Sequence, residues 1–147
     1  GLDNLKEKLD ELMAPKLTAQ LRRTMIVSTG LVKTRSRELV PVDSGALRGS
    51  IYDEVTYNGS EIRGTIGPTE PYGAAVEFGT KPHFPPVKAL ERWAKKRGIN
   101  PYAVAKAISR RGTKPQPFMI PSLKENIGKI RDKFQEVIDY LLSKTNK

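Results

Sequence analysis

Residues 51–66, IYDEVTYNGSEIRGTI, carry the clearest structural signal in the chain. Two runs rich in β-branched and aromatic residues flank Asn58-Gly59, a pair that favours a two-residue type I′ turn. Such a turn predicts a hairpin with this register: Val55 opposite Ile62, Ile51 opposite Ile66, Glu54 opposite Arg63. Apolar side chains then share one face, on which Asp53 also falls. The stretch predicts an antiparallel hairpin at the centre of the fold.

Helical periodicity dominates the chain before the hairpin. Leu2, Leu5, Leu9 and Leu12 form an apolar stripe, which predicts a helical arm over residues 1–14. Pro15 ends this arm or begins the next helix, which is expected to run from Lys16 to about Leu39. The weak helix formers at 28–30 predict a kink or a close helix contact there.

After the hairpin, residues 72–78 fit either a short helix or a strand, and helices are expected over about 87–97, 101–111 and 121–143. Apolar side chains three and four residues apart form a seam from Leu123 to Leu141, widened by Ile138 and Leu142. The pattern predicts an α+β fold with one domain over residues 1–147. In it, a small antiparallel β-sheet with a central hairpin packs against long N- and C-terminal helices, and a pair of short basic helices is inserted.

Almost all of the net charge lies in one segment. The 147-residue chain has a net charge of +10, and residues 81–114 contain ten basic residues and one acid, Glu91. We call residues 81–114 the basic insert. Its candidate contact residues are Lys88, Arg92, Lys95, Lys96, Lys106, Arg110 and Arg111. Such a cluster fits DNA phosphates or an acidic protein partner, and it equally fits a pair of solvated helices.

The residue types needed for most catalysis are missing. The chain has no cysteine and a single histidine, His83, which lies among prolines. Thiolate nucleophiles, zinc sites and serine–histidine pairs are therefore not expected. The carboxylates Asp43, Asp53 and Glu77 have no diagnostic spacing. We expect no enzyme activity, no cofactor, no metal and no catalytic residue, and no apolar run approaches the length that spans a membrane.

Three segments resemble the signatures of one protein family. Residues 42–51, VDSGALRGSI, resemble V-D-T-G-x-L-R-x-S-I; residues 72–80, YGAAVEFGT, resemble Y-A-x-x-V-E-F-G-T; residues 117–123, PFMIPSL, resemble P-F-M-x-P-A-L. Their order and the hairpin between the first two also match. The chain thereby resembles the phage tail-component family, the neck, head–tail joining and tail-completion proteins of long-tailed double-stranded DNA phages.

The motif residues have structural explanations. They are Asp43, Gly45, Leu47, Arg48, Tyr72, Glu77, Phe78, Gly79, Pro117, Phe118 and Pro121. Asp43 can cap the turn after Pro41, and Phe118 can anchor the entry to the last helix. Arg48 can reach a carboxylate, for which Glu77 is one candidate.

The resemblance implies a structural virion protein at the head–tail junction, made in the host bacterial cytoplasm. It would act in tail completion or head–tail joining by self-association, as a ring and by family analogy a hexamer. Its implied partners are phage head-completion proteins, tail-terminator or tail-tube proteins, and phage DNA passing through the ring. The alternative from the residues is a double-stranded DNA-binding module that uses the basic helices of residues 81–114.

Overall fold

The computed structural model of the chain describes residues 2–145, and of residues 2, 5, 6, 8–10, 12, 13 and 145 it describes the backbone alone. Over this range the chain is a mixed helix and strand fold, about 65% helical, in which a two-stranded antiparallel sheet is the minor part. The elements are α1 (Leu2–Leu39), α2 (Ala46–Ser50), β1 (Ile51–Tyr57), β2 (Ile62–Pro68), α3 (Gly73–Phe78), α4 (Val87–Lys96), α5 (Pro101–Arg111) and α6 (Met119–Thr145). The expected mixed class, with its antiparallel hairpin, is confirmed.

The N-terminal helix is continuous through Pro15, so the predicted break there is wrong. A proline inside a helix removes one backbone hydrogen bond and crowds the preceding turn. Pro15 is exposed, which leaves the carbonyl group that loses its donor open to water. The predicted leucine stripe from Leu2 to Leu12 lies outside the described side chains.

The weak helix formers in the middle of α1 contact the hairpin. The Ser28 hydroxyl donates to the Thr24 carbonyl at 2.7 Å. The Thr29 hydroxyl lies 3.0 Å from Oδ2 of Asp53 in β1. At Thr29 the close contact predicted for 28–30 is therefore made with the sheet. Small side chains at this point let the strands approach α1 closely.

The hairpin register differs by two residues from the predicted one. The strands pair Tyr57 with Ile62, Val55 with Gly64, Glu54 with Thr65, Asp53 with Ile66 and Ile51 with Pro68. A type I′ turn needs positive φ at both central residues, but only Gly59 has it, at 96°. Instead, Oδ1 of Asn58 accepts hydrogen bonds from the backbone N–H of Ser60 and Glu61. This interaction holds a four-residue loop. A shift of two residues leaves every side chain on its predicted face.

Helix α1 is the element that joins the two halves of the fold, because it packs against both strands and against α6. Helix α6 lies along α1, and only its first residue, Met119, joins the core beside the sheet. The predicted packing of the C-terminal helix against the sheet is thus correct only at the start of α6. The α1–α6 contact buries small polar side chains, namely Ser36, Ser122 and Asn126.

The basic insert forms a compact helical pair. Helices α4 and α5 pack on each other, and Ala94 and Ala105 are fully buried. Helix α5 begins and ends as predicted, with the Asn100 side chain accepting from the backbone N–H of Tyr102. The insert leaves and re-enters the fold at Thr80 and Thr113, whose backbones pair through two hydrogen bonds of 3.2 Å.

Candidate functional site

The three family-like segments meet at one core. Leu47 and Ile51 from the first segment and Phe118 from the third are buried together with Val40. Val76 from the second segment packs against them. The side chain of Phe118 is completely buried. The three family-like segments, which are distant in the sequence, therefore pack against each other in one core.

Glu77 caps the last helix. Its side chain is buried, and its two oxygens accept hydrogen bonds from the backbone N–H of Phe118, Met119 and Ile120 at 2.7, 2.8 and 2.9 Å. The first N–H groups of a helix have no partner within the helix, and a carboxylate also suits the positive end of the helix dipole. Glu77 thus fixes where α6 begins. This arrangement satisfies both oxygens of the buried carboxylate.

Two predicted roles among the motif residues are wrong. Arg48 is exposed and forms no ion pair within the described part of the chain, because Glu77 is already committed to backbone N–H groups. Asp43 does not cap the turn after Pro41. The Ser44 hydroxyl instead accepts from the backbone N–H of Ala46 at 3.2 Å. At the start of α2, Gly45 has a φ of 79°, which explains why glycine suits that position.

Asp43 holds the basic insert to the body of the fold. Its carboxylate lies 3.2 Å from Arg92, 3.5 Å from Lys96 and 3.7 Å from Arg97. Partial desolvation alone would raise the pKa of Asp43, but the hydrogen bonds and charges of Arg92 and Lys96 outweigh it and lower the pKa. One carboxylate therefore offsets part of the charge of three cations.

The other motif residues lie at the surface or at chain turns. Tyr72, Phe78 and Pro117 are exposed, and Pro121 is half-buried in the first turn of α6. Gly79 ends α3 with a φ of 70°. Desolvation, followed by the charge of Glu70, raises the pKa of the Tyr72 phenol. These residues surround the start of α6 and the base of the insert, where they shape the surface without forming a reactive cluster.

Five of the predicted cationic contact residues carry no carboxylate partner among the described residues. They are Lys88, Lys95, Lys106, Arg110 and Arg111, and all five are exposed. The other two, Arg92 and Lys96, are the partners of Asp43. The insert therefore keeps a substantial free positive surface on both of its helices.

Helix α6 displays an apolar strip to solvent. Ile120, Leu123, Ile127, Ile138 and Leu142 are each between 43% and 59% exposed. Successive members are three, four, eleven and four residues apart, and eleven residues make about three helical turns, so they follow one side of the helix. The predicted seam from Leu123 to Leu141 is therefore only partly covered by other residues of the chain. Its two N-terminal members, Leu123 and Ile127, face solvent because the helix meets α1 through Ser122 and Asn126.

Two further ion pairs join different elements, and the sequence pattern does not predict either partner. Nζ of Lys33 lies 2.5 Å from Oδ1 of Asp53, and the hydrogen bond from Lys33 lowers the pKa of Asp53. Nε of Arg35 lies 2.5 Å from Oε2 of Glu125, which lowers the pKa of Glu125 and raises that of Arg35. Only the position of Asp53 on the apolar face signalled a buried partner in advance.

The described residues were also compared with the requirements of a metal site and of a membrane span. No group of three or more His, Asp or Glu side chains there could hold a metal ion. Nδ1 of His83 contacts the Lys81 carbonyl and the ring is exposed. No helix in residues 2–145 is long and apolar enough to cross a membrane.

The described residues thus form a packed motif core, a capped final helix, a free basic surface and an exposed apolar strip. The chain matches no family model, no curated protein and no solved structure.

Proposed function

We propose that this chain is a structural virion protein at the head–tail junction of a long-tailed phage. It acts in tail completion or head–tail joining by self-association and by docking to neighbouring virion proteins. The observation that carries the proposal is the apolar strip of α6, Ile120, Leu123, Ile127, Ile138 and Leu142, which the fold leaves exposed. Extended apolar surface on a small chain marks an interaction site.

The motif core supports the same proposal. Several residues shared with the tail-component signatures pack, cap a helix or tie the insert to the fold, as Phe118, Glu77 and Asp43 do. A signature made of such residues suits a protein whose shape is its function. The chain is proposed to be neither an enzyme nor a cofactor carrier.

The proposed assembly is a ring coaxial with the tail, and by family analogy a hexamer. Its proposed neighbours are head-completion proteins on one side and tail-terminator or tail-tube proteins on the other, with DNA passing through the centre. Head-to-tail contacts between identical chains close into a ring when the rotation allows it. Synthesis would take place in the host bacterial cytoplasm and the final location would be the virion.

Self-association of the purified chain tests the proposal. Sedimentation velocity over a range of concentrations should detect oligomers, and Ile127→Asp together with Leu142→Asp should dissociate them, since charge on a buried apolar face is costly. Tyr52→Asp is the matched control, because Tyr52 is similarly exposed but lies on the hairpin. A chain that stays monomeric and binds no neck or tail-tube protein would overturn the proposal.

The alternative function is double-stranded DNA binding by the basic insert. It is favoured by the five exposed cations without carboxylate partners, Lys88, Lys95, Lys106, Arg110 and Arg111. Affinity for duplex DNA should then fall steeply with salt concentration as counterions are displaced. Salt-dependent duplex binding by a chain that does not self-associate would support this alternative.

A further inference from the structure

One face of α5 combines aromatic and basic side chains. Tyr102, Lys106 and Arg110 recur every four residues, so they lie along one exposed side of the helix. The ring of Phe84 packs beside that of Tyr102, with centroids 6.0 Å apart, and the two residues remain 54% and 58% exposed. We call Phe84, Tyr102, Lys106 and Arg110 the basic–aromatic face.

The second half of α6 carries the opposite charge. Asp132, Glu136 and Asp139 are spaced four and three residues apart, so they lie along one exposed side of the helix. Leu142 follows Asp139 by about one turn, which places it beside Asp139 on the helix surface, and it is 59% exposed. We call Asp132, Glu136, Asp139 and Leu142 the acidic–apolar face.

The carboxylates of this face are weakly engaged within the chain. Asp132 lies 3.7 Å from Nε of Arg131, and both side chains are at least 70% exposed, so this pair contributes little. Asp139 accepts a hydrogen bond of 2.8 Å from Gln135. Glu136 has no ion-pair partner among the described residues. All three carboxylates can therefore accept a cation from outside.

The two faces do not meet within one chain. Neither α4 nor α5 packs along α6, and none of the described ion pairs joins the insert to the carboxylates of α6. The insert leaves the fold at the Thr80–Thr113 bridge, close in sequence to Met119. Asp139 follows Met119 by 20 residues, which places it about 30 Å further along the helix. Contact between the faces therefore requires a second copy.

We propose that the basic–aromatic face of one copy binds the acidic–apolar face of the next copy. This inference rests on the proposed self-association and names the surfaces that form it. Lys106 and Arg110 bind the carboxylates, while Phe84 and Tyr102 cover Leu142. The two surfaces differ, so the contact is head-to-tail, the type that generates rings.

A protein surface fits the basic–aromatic face better than duplex DNA does. Phosphates would satisfy Lys106 and Arg110 but would leave the exposed rings of Phe84 and Tyr102 uncovered. The acidic–apolar face offers carboxylates with the exposed leucine Leu142 beside them. The insert also binds a carboxylate within the chain, since Arg92 and Lys96 contact Asp43.

Charge exchange on the 147-residue chain tests the proposal. Lys106→Glu with Arg110→Glu should raise the dissociation constant for self-association at least about tenfold, and so should Glu136→Lys with Asp139→Lys. The four changes combined in one chain exchange the charges on both faces and should restore association. Lys16→Glu with Arg23→Glu is the matched control, because it makes the same charge change on an exposed part of α1.

Each outcome decides the proposal. The proposal is supported if each charge-reversed pair weakens self-association, the combined chain regains it, and the control associates like the wild type. A wild-type chain that associates while the exchanges have no effect, or are not rescued, overturns this inference and leaves the proposed function standing. A wild-type chain that never associates overturns this inference, and if it also binds no neck or tail-tube protein it overturns the proposed function as well. Loss of duplex DNA binding without loss of association would assign the basic–aromatic face to DNA. Circular dichroism verifies folding, and Lys106→Gln with Arg110→Gln repeats the test without reversed charge.

Discussion

Glu77 and Phe118 are 41 residues apart in the sequence, and Oε2 of Glu77 accepts a hydrogen bond of 2.7 Å from the backbone N–H of Phe118. The same oxygen also accepts from Met119. This contact ties the end of α3 to the beginning of α6. Two of the three family-like segments are therefore held together by a side chain that binds backbone.

Glu77→Gln should lower the free energy of unfolding by about 1–3 kcal/mol, because hydrogen bonds to a buried carboxylate are replaced by weaker ones. The amide group of glutamine also places a donor where the helix presents donors. Urea denaturation followed by circular dichroism measures the change. Glu54→Gln, on an exposed position of β1, should have little effect. Equal stability of the Glu77 variant and the wild type would contradict the cap.

Asp53→Asn should destabilise the fold by about 1–3 kcal/mol at neutral pH, since it removes a charged hydrogen bond to Lys33 on the inner face of the sheet. The hydrogen bond from Lys33 lowers the pKa of Asp53 below its ordinary 3.8. This contribution is therefore present above pH 3.8 and is lost as the pH falls through the folded-state pKa.

The effect of Asp53→Asn on stability should depend on pH. The stability difference between wild type and Asp53→Asn should shrink as the pH falls below 3.8. Denaturation series at several pH values would show it. A difference that stays constant across this range would mean that the Asp53 charge does not contribute.

Gly112→Ala should destabilise the fold more than Gly59→Ala. Both glycines have positive φ, 68° and 96°, and an alanine there costs about 1–2 kcal/mol in backbone strain. A Cβ atom at position 112 would also lie 1.9 Å from the Thr80 carbonyl oxygen, whereas none of the described atoms approaches one at position 59. Thermal melts of the two variants compare them directly, and equal losses would argue against close packing at the bridge.

Asp43→Asn should loosen the basic insert while leaving the melting temperature nearly unchanged. The contacts from Arg92 and Lys96 are exposed, so they contribute little to global stability. Amide hydrogen exchange in α4 should become faster, and exchange in α6 should not change. Because Asp43 has a lowered pKa, acidification below its usual range should produce the same loosening in the wild type. Unchanged amide hydrogen exchange in α4 of the Asp43→Asn variant would contradict the role of Asp43 in holding the insert.

Features that depend on interactions between residues close in the sequence could be predicted from it. Asn100 caps α5 through N–H groups two and three residues away, and the pattern N-P at a helix start is sufficient to predict it. The faces of the hairpin follow from alternation alone. Its register does not, because it depends on whether the Asn58 side chain binds the loop N–H groups or the backbone adopts a two-residue turn.

Contacts between distant segments were not predictable in the same way. The sequence shows Glu77 as one carboxylate among many, and its partners lie 41 to 43 residues further on. The seam of α6 was identified, but its orientation was not. Periodicity gives the direction of an apolar face only to within about one residue, and here α6 meets α1 through Ser122 and Asn126.

The pairing of Thr80 with Thr113 has a consequence for the engineering of this chain. The two backbones form an antiparallel pair, which brings the ends of the intervening segment to within about 5.5 Å of each other. A short loop can close that gap, so residues 81–112 can be replaced by a segment of another length and sequence. An epitope or an affinity peptide inserted there would follow the paired backbones of Thr80 and Thr113, and the core capped by Glu77 would not be altered.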